Sequence, residues 1–194
     1  KQGYYCIVGI KKGAKTQKLF TDLDEVLVQC DKFSEDEYDV YFGCAKYQTN
    51  QNRLASNAKY FKSFWVDLDC GPKKEYDSQS SAYNALLSFC EGTNLPVPTI
   101  VSSGYGIHCY WTLVDEISYN DWKPFADHLK SVCLSVGLRI DTKVTADAAR
   151  ILRVPETYNF KSPSNKKKVE VILVSPPSTF NALKTALDFT GGVP

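Results

Sequence analysis

The chain has 194 residues, 43% of them hydrophobic, and a formal net charge of +1. That is enough apolar material for one core, or for two small lobes sharing a cleft, and too balanced a charge for a uniformly basic surface. No apolar run approaches the roughly 18 residues of a membrane span and no signal-like leader opens the sequence, so a cytoplasmic protein without a membrane partner is expected. There is no methionine and the first residue is Lys1, as expected of a single domain, 1–194, cut from a longer protein. Seven cysteines (6, 30, 44, 70, 90, 109, 133) stand singly without a C-x-x-C pair. An odd, dispersed set fits neither a disulfide scaffold nor a zinc ribbon, so no structural zinc is expected and the thiols read as small core hydrophobes.

In chain order, an apolar run at 4–10 predicts a strand, a shorter pattern at 21–30 a helix, and 39–45 a second strand. The polar stretch 48–62 reads as a loop or irregular helix. Strand 64–69 follows and ends at Gly71-Pro72. Helix 78–90 repeats Ala82, Ala85, Leu86 and Phe89 at spacings of three and four, with Ser78 as its cap. Strands at 99–101 and 107–111 lead to helix 120–136, where Trp122, Phe125, Leu129, Val132, Cys133 and Val136 line one face and Gly137 stops the turn. A last strand at 169–174 and a helix at 179–189 complete a mixed α/β or α+β pattern. No long linker, repeat or low-complexity segment marks a boundary.

Three segments carry chemistry. In Phe64-Trp65-Val66-Asp67-Leu68-Asp69 the side chains alternate, so Asp67 and Asp69 project from one face into what the apolar flanks predict is a cleft. Two carboxylates on one face repel, and a divalent cation held by oxygen ligands offsets that repulsion. In Ser103-Gly104-Tyr105-Gly106-Ile107-His108 the glycines permit a tight turn, whose hydroxyl, amides and imidazole could together hold a phosphate. His128 sits in a helical pattern and reads as structural. The third segment is Ile140-Asp141, followed by Thr142 to Arg150-Ile151-Leu152-Arg153-Val154-Pro155. Asp141 ends a short apolar run as Asp69 does and could be a third carboxylate for the same cations. If this part is extended, Arg150 and Arg153 point to opposite faces, so at most one need reach a phosphate. Residues 139–168 hold eight basic and three acidic residues, which is where an anionic partner is expected. Lys166, Lys167 and Lys168 read as a solvated hairpin turn.

The ordered set D-x-D, S-G-x-G-x-H and h-D-x-x-V-T-x-D-x-x-R-h-h-R-h-P, with a following Asn and Lys, resembles the archaeo-eukaryotic primase superfamily, also called primase-polymerases, over residues 64–161. The compact size is similar to the phage and plasmid type. The resemblance implies an RRM-like sheet packed on a smaller N-terminal α/β unit, with the active site in the cleft between. It implies that Asp67, Asp69 and Asp141 hold two Mg²⁺ or Mn²⁺ ions, and that Ser103, His108, Arg150, Arg153, Asn159 and Lys161 contact the incoming nucleotide. Asn159 departs from the His of archaeal small primase subunits, and Asp147 matches a less central position that would orient Arg150 or Arg153, with a role as third metal ligand as its second reading. The implied activity is template-dependent nucleotidyl transfer on single-stranded DNA, starting or extending a primer strand from dNTPs or NTPs in a host cell. A helicase or other domains of the full-length protein would assist. Two other readings remain open on the residues: a non-catalytic nucleic-acid-binding module of a replication initiator, and a metal-dependent nuclease. Arg53, Asn57, Lys73, Lys74 and Tyr76 flank the acidic strand and could touch template or nucleotide, and Tyr105 or Tyr76 could stack on a base.

Overall fold

The computed structural model describes residues 2–190. Strand β1 (Tyr5–Lys11) turns through Lys12 and Gly13, both at positive φ, into β2 (Ala14–Phe20). Helix α1 (Leu23–Glu35) follows, its first turn capped by the Asp22 carboxylate accepting from the Asp24 N–H at 2.7 Å. Strand β3 (Asp39–Gly43) then pairs with β1. Far along the chain, β8 (Ile151–Arg153) returns to the free edge of β3, giving a sheet of order β2-β1-β3-β8. Ile7 and Val40 are buried with Cys30 and Phe33 of α1, so that helix covers one face of the sheet.

The second sheet holds β4 (Lys46–Tyr47), β5 (Ala58–Leu68), β6 (Thr99–Ser102), β7 (Ile107–Ser118) and β11 (Glu170–Leu173) in the order β11-β6-β7-β5-β4. Between β8 and β11 lies a small ribbon of β9 (Tyr158–Asn159) and β10 (Lys167–Lys168). Helices α2 (Gln79–Thr93), α3 (Tyr119–Ser135) and α4 (Phe180–Ala186) complete the chain. Cross-strand partners share a face, so Phe64, Val66, Cys109 and Trp111 form one side of this sheet while Asp67, His108 and Tyr110 form the other. The apolar side is covered by helices. Phe64 meets Phe125 and Phe180 at ring distances of 4.6 and 5.7 Å, and Trp111 meets Phe89 at 6.3 Å.

The expected elements recur with shifted boundaries. Ser78 and Ser81 form a capping box on α2, and α3 ends with Gly137 at φ +82°. There Leu138 N–H reaches the Cys133 carbonyl (2.9 Å) and Gly137 N–H reaches that of Leu134 (3.3 Å). Three expectations are corrected. The stretch 48–62 is a loop with one 3₁₀ turn (Ala55–Asn57) only to residue 57, because β5 starts at Ala58. Its buried residues break step where a register shift falls between Phe61 and Ser63, which hides the alternation. Strand β2 was missed because its Lys-Thr-Gln-Lys stretch is exposed on both faces at a sheet edge. Lys167 and Lys168 are not a free turn but pair with Asn159 and Tyr158, and the next residue, Val169, is fully buried.

All seven cysteines are free and buried. Burial pushes their thiols up, to about 11 for Cys6 and about 12 for Cys90.

Trp122 packs against the rings of Phe61, Phe64, Trp65 and Tyr119. It is fully buried, stacks on Phe61 at 4.1 Å and donates its indole N–H to the Ser63 carbonyl at 3.1 Å. Trp122→Ala is expected to lower unfolding free energy by about 3–5 kcal/mol in a denaturant titration, through lost burial, an unrelaxed cavity and an orphaned carbonyl.

Candidate active site

The polar face of the second sheet supplies the first wall of a cleft of about 350 Å³. Asp67 is next to last in β5 and Asp69 lies just past its end, while His108 stands opposite Asp67 on β7. The turn between β6 and β7 is closed from within. Ser103 N–H donates to Gly106 carbonyl at 2.9 Å, and Gly106 N–H donates to Ser103 Oγ at 3.2 Å. Gly104 takes φ +94°, open to glycine at little cost. Gly106 is needed for space, since a Cβ there would lie 2.5 Å from the Leu68 carbonyl oxygen. The turn is therefore pressed against the strand end that carries the aspartates.

Asp141 arrives on a run of turns at 138–150 rather than on a strand. Its N–H donates to the Asp67 carbonyl at 2.9 Å, and Trp65 Nε1 donates to the Val144 carbonyl at 3.0 Å. On the outer side, Arg139 N–H donates to the Tyr76 hydroxyl at 3.0 Å. These bonds bring all three acids to one cleft. The opposite wall comes from the first sheet and from the chain just before and after β8: Ile10, Tyr41, Arg150, Ile151, Leu152, Arg153, Asn159 and Lys161.

The acids bear the electrostatic strain. Burial, then the charges of Asp69 and Asp141, lift the Asp67 carboxyl from an ordinary 3.8 to about 7, against the pull of Arg150 and Lys74. Asp69 is partly neutralised by Lys74 at 2.8 Å, and Asp141 Oδ1 accepts the Lys143 N–H at 2.9 Å. His108 is pushed down to about 3 by burial and by Arg153, so its imidazole is neutral. Its Nδ1 lies 3.4 Å from the Tyr110 hydroxyl and its Nε2 3.9 Å from Asp67 Oδ1. Among the described residues no three His, Cys, Asp or Glu side chains already close on a metal. Asp69 is turned to Lys74 instead. The donor set still fits a hard divalent cation, because three carboxylates line one cleft and the most buried of them is destabilised by the other two.

Each expected site residue thus lines this cleft, with several adjustments. Arg150 and Arg153 do not diverge. Arg150 precedes β8, on a turn closed by its N–H to the Asp147 carbonyl at 3.0 Å, so strand alternation does not apply to it. Its guanidinium donates to Asp147 Oδ2 at 2.9 Å and to the Lys143 carbonyl at 2.8 Å. Asp147 thereby holds Arg150, the orienting role expected of it. Asn159 is buried, with Nδ2 on the Ser103 carbonyl at 2.7 Å and Oδ1 accepting Lys161 N–H at 3.0 Å, so it braces the turn. Ser103 Oγ is likewise engaged with Gly106. Lys161 is exposed, 5.6 Å from the Tyr105 ring centre. Of the flanking residues, Arg53 donates to the Ala149 carbonyl and Asn57 to the carbonyls of Thr49 and Asn52, which makes both struts. His128 bonds the Leu187 carbonyl at 2.9 Å, a packing contact.

Three further residues shape the site. Asp39 Oδ1 pairs with Arg153 and accepts the Phe160 N–H at 2.9 Å, while Tyr41 lies under the Arg153 guanidinium at 4.8 Å. Their i, i+2 spacing in an expected strand was the available signal. Gln79 Nε2 donates to Ser102 Oγ at 2.8 Å and to the Gly106 carbonyl at 3.0 Å, clasping the turn from the first position of α2. No sequence pattern marks that role.

No family model matches the chain and no curated protein matches it in sequence. Solved structures match in fold. The AEP domain of the cyanophage S-2L primase-polymerase aligns with a TM-score of 0.69 at 12% identity, over 95% of this chain and 89% of that one. Primase RepB′ aligns with a TM-score of 0.60 at 12% identity, over 95% of this chain and 57% of that one. Its catalytic domain in complex with initiator DNA gives 0.59 at 12% identity, over 95% and 86%. The chain shares the fold of these primase and primase-polymerase domains. Its architecture is accordingly mixed α/β.

Two measurements probe the site. Gly106→Ala is expected to cost about 1–3 kcal/mol in a denaturant melt, because a backbone oxygen cannot move aside as a flexible side chain would. For pH, folded Asp67 keeps its proton up to about 7 while an unfolded aspartate loses it near 3.8. The folded state then binds more protons in that window, so Asp67's contribution to stability falls as pH rises through it. In cation-free buffer, Asp67→Asn is expected to lose less thermal stability than wild type between about pH 5 and about pH 7.5.

Proposed function

We propose that the protein is a template-dependent nucleotidyltransferase that synthesises or extends primers on single-stranded DNA from nucleoside triphosphates. One observation carries this reading: three acids stand on one wall of a single cleft and Arg150, Arg153 and Lys161 stand on the other. Such a cleft suits a triphosphate, whose anionic tail needs cationic side chains and whose reacting phosphorus needs charge neutralised on its other side. Two divalent cations, Mg²⁺ or Mn²⁺, bound by Asp67, Asp69 and Asp141 would neutralise phosphate charge and activate the attacking 3′-hydroxyl.

The chain's own residues do the remainder. Arg153 is held by Asp39 through Nη1, which leaves further guanidinium N–H groups for phosphate oxygens. Neutral His108 contributes a hydrogen bond rather than a charge. Asn159 and Gln79 fix the Ser103 turn from two sides, so its backbone is set before a ligand arrives. A single-stranded template, a primer strand and further domains of a longer protein, a helicase among them, are the partners this reading carries.

The test is a labelled primer annealed to a longer template, incubated with dNTPs or NTPs and either cation. Extension is expected, and Asp67→Ala or Asp141→Ala should each reduce it by on the order of a hundredfold or more. Full incorporation by either variant would remove these acids from the mechanism. Shortening of the oligonucleotide without nucleotides would favour a nuclease instead.

A further inference from the structure

Beside the carboxylate cleft runs a smaller groove of about 260 Å³. Its walls are Ile10, Lys11 and Lys12 at the β1–β2 turn, Glu37 and Asp39 before and on β3, and Phe160 and Lys161 after β9. Ile10 and Lys161 also line the cleft, so the groove continues it. Its charge is one-sided. Asp39 is taken up by Arg153 and the Phe160 N–H, which leaves Glu37 as the acid facing Lys11, Lys12 and Lys161.

The β9–β10 ribbon extends this surface. Asn159 pairs with Lys167 and Tyr158 with Lys168, so the ribbon has two faces. Asn159 and Lys167 look to the cleft, with Lys167 Nζ 5.0 Å from the Tyr105 ring centre. Tyr158 and Phe160 lie on the outer side, both half-buried, with Lys166 Nζ 4.6 and 5.8 Å from their ring centres. Lys168 is tied to Glu156 at 2.7 Å, and that pair ends the basic surface.

We propose that this groove and the outer face of the ribbon form the path along which a single-stranded DNA template reaches the cleft, with bases on Tyr158 and Phe160 and phosphates on Lys12 and Lys166. The proposal rests on the nucleotidyltransferase reading for its direction, and on the groove itself for its ligand. Flat rings interleaved with lysines fit unpaired nucleotides, because every base has a face to stack and every linkage a phosphate to neutralise. A duplex offers no free base face to these rings. An arriving base replaces the ammonium now lying over each ring, and the freed lysine turns to the adjoining phosphate.

Binding of a 5′-fluorescein single-stranded oligonucleotide, followed by anisotropy without nucleotide or metal, tests the path apart from catalysis. Lys12 and Lys166 are exposed, so Lys12→Glu and Lys166→Glu should fold normally. Each is expected to weaken binding about tenfold, and to lower the slope of log affinity against log salt by about 0.7. Phe160→Leu, which keeps an apolar side chain but loses the ring, should weaken binding about tenfold with the salt slope unchanged. Wild-type affinity and slope in both charge-reversal variants would overturn the proposal, as would no binding by the unsubstituted protein. If these variants weaken binding but wild type incorporates no nucleotide, the path stands and the polymerase reading falls.

Discussion

The Asp67 carbonyl accepts a hydrogen bond from the Asp141 N–H, and through it two distant segments of chain place their carboxylates together against their own repulsion. That arrangement is locally unfavourable, as the raised Asp67 carboxyl records. It persists because the backbone around it is over-determined. Trp65, fully buried, holds the Val144 carbonyl, Tyr76 holds Arg139, and the helix-covered face of the same sheet anchors the strand from behind. Sites where local preference is overruled by surrounding structure are where function concentrates.

The two walls have different origins. Asp67 is next to last in a strand of the second sheet, with Asp69 just past its end and Asp141 hydrogen-bonded to Asp67 from a run of turns, whereas Tyr41 and Arg153 belong to the first sheet, to which β8 adds a short edge strand. Three residues of pairing between β3 and β8 thus set how far the cations stand from the carboxylates. Asp39 refines that placement by gripping Arg153 and the Phe160 amide at once, which ties the guanidinium to the chain just after β9.

Much of this was legible in the sequence where one periodicity governs. Asp67 and Asp69 followed from strand alternation, Ser78 and Gly137 from capping chemistry, and the α2 and α3 faces from three-and-four spacing. The order of the three motifs indicated a cleft shared by acids and bases. What was hidden is equally specific. Strand β2 has no buried side to pattern its residues, and the irregularity near Phe61 erases the alternation of early β5. Arg150 escapes strand alternation because β8 begins only at Ile151. Gln79 and Asn159 act through hydrogen bonds to backbone, which any polar residue could make, so only the folded geometry reveals their role.

The buried thiols add a different kind of information. They sit on β1, α1, α2, β7 and α3 and in the loops after β3 and β5, so nearly every structural layer carries one. Each is enclosed and held protonated well above neutral pH. A thiol reagent can therefore react only where the chain opens and exposes sulfur to water. The molecule carries its own distributed set of unfolding reporters, and the order in which they react would read out which lobe loosens first.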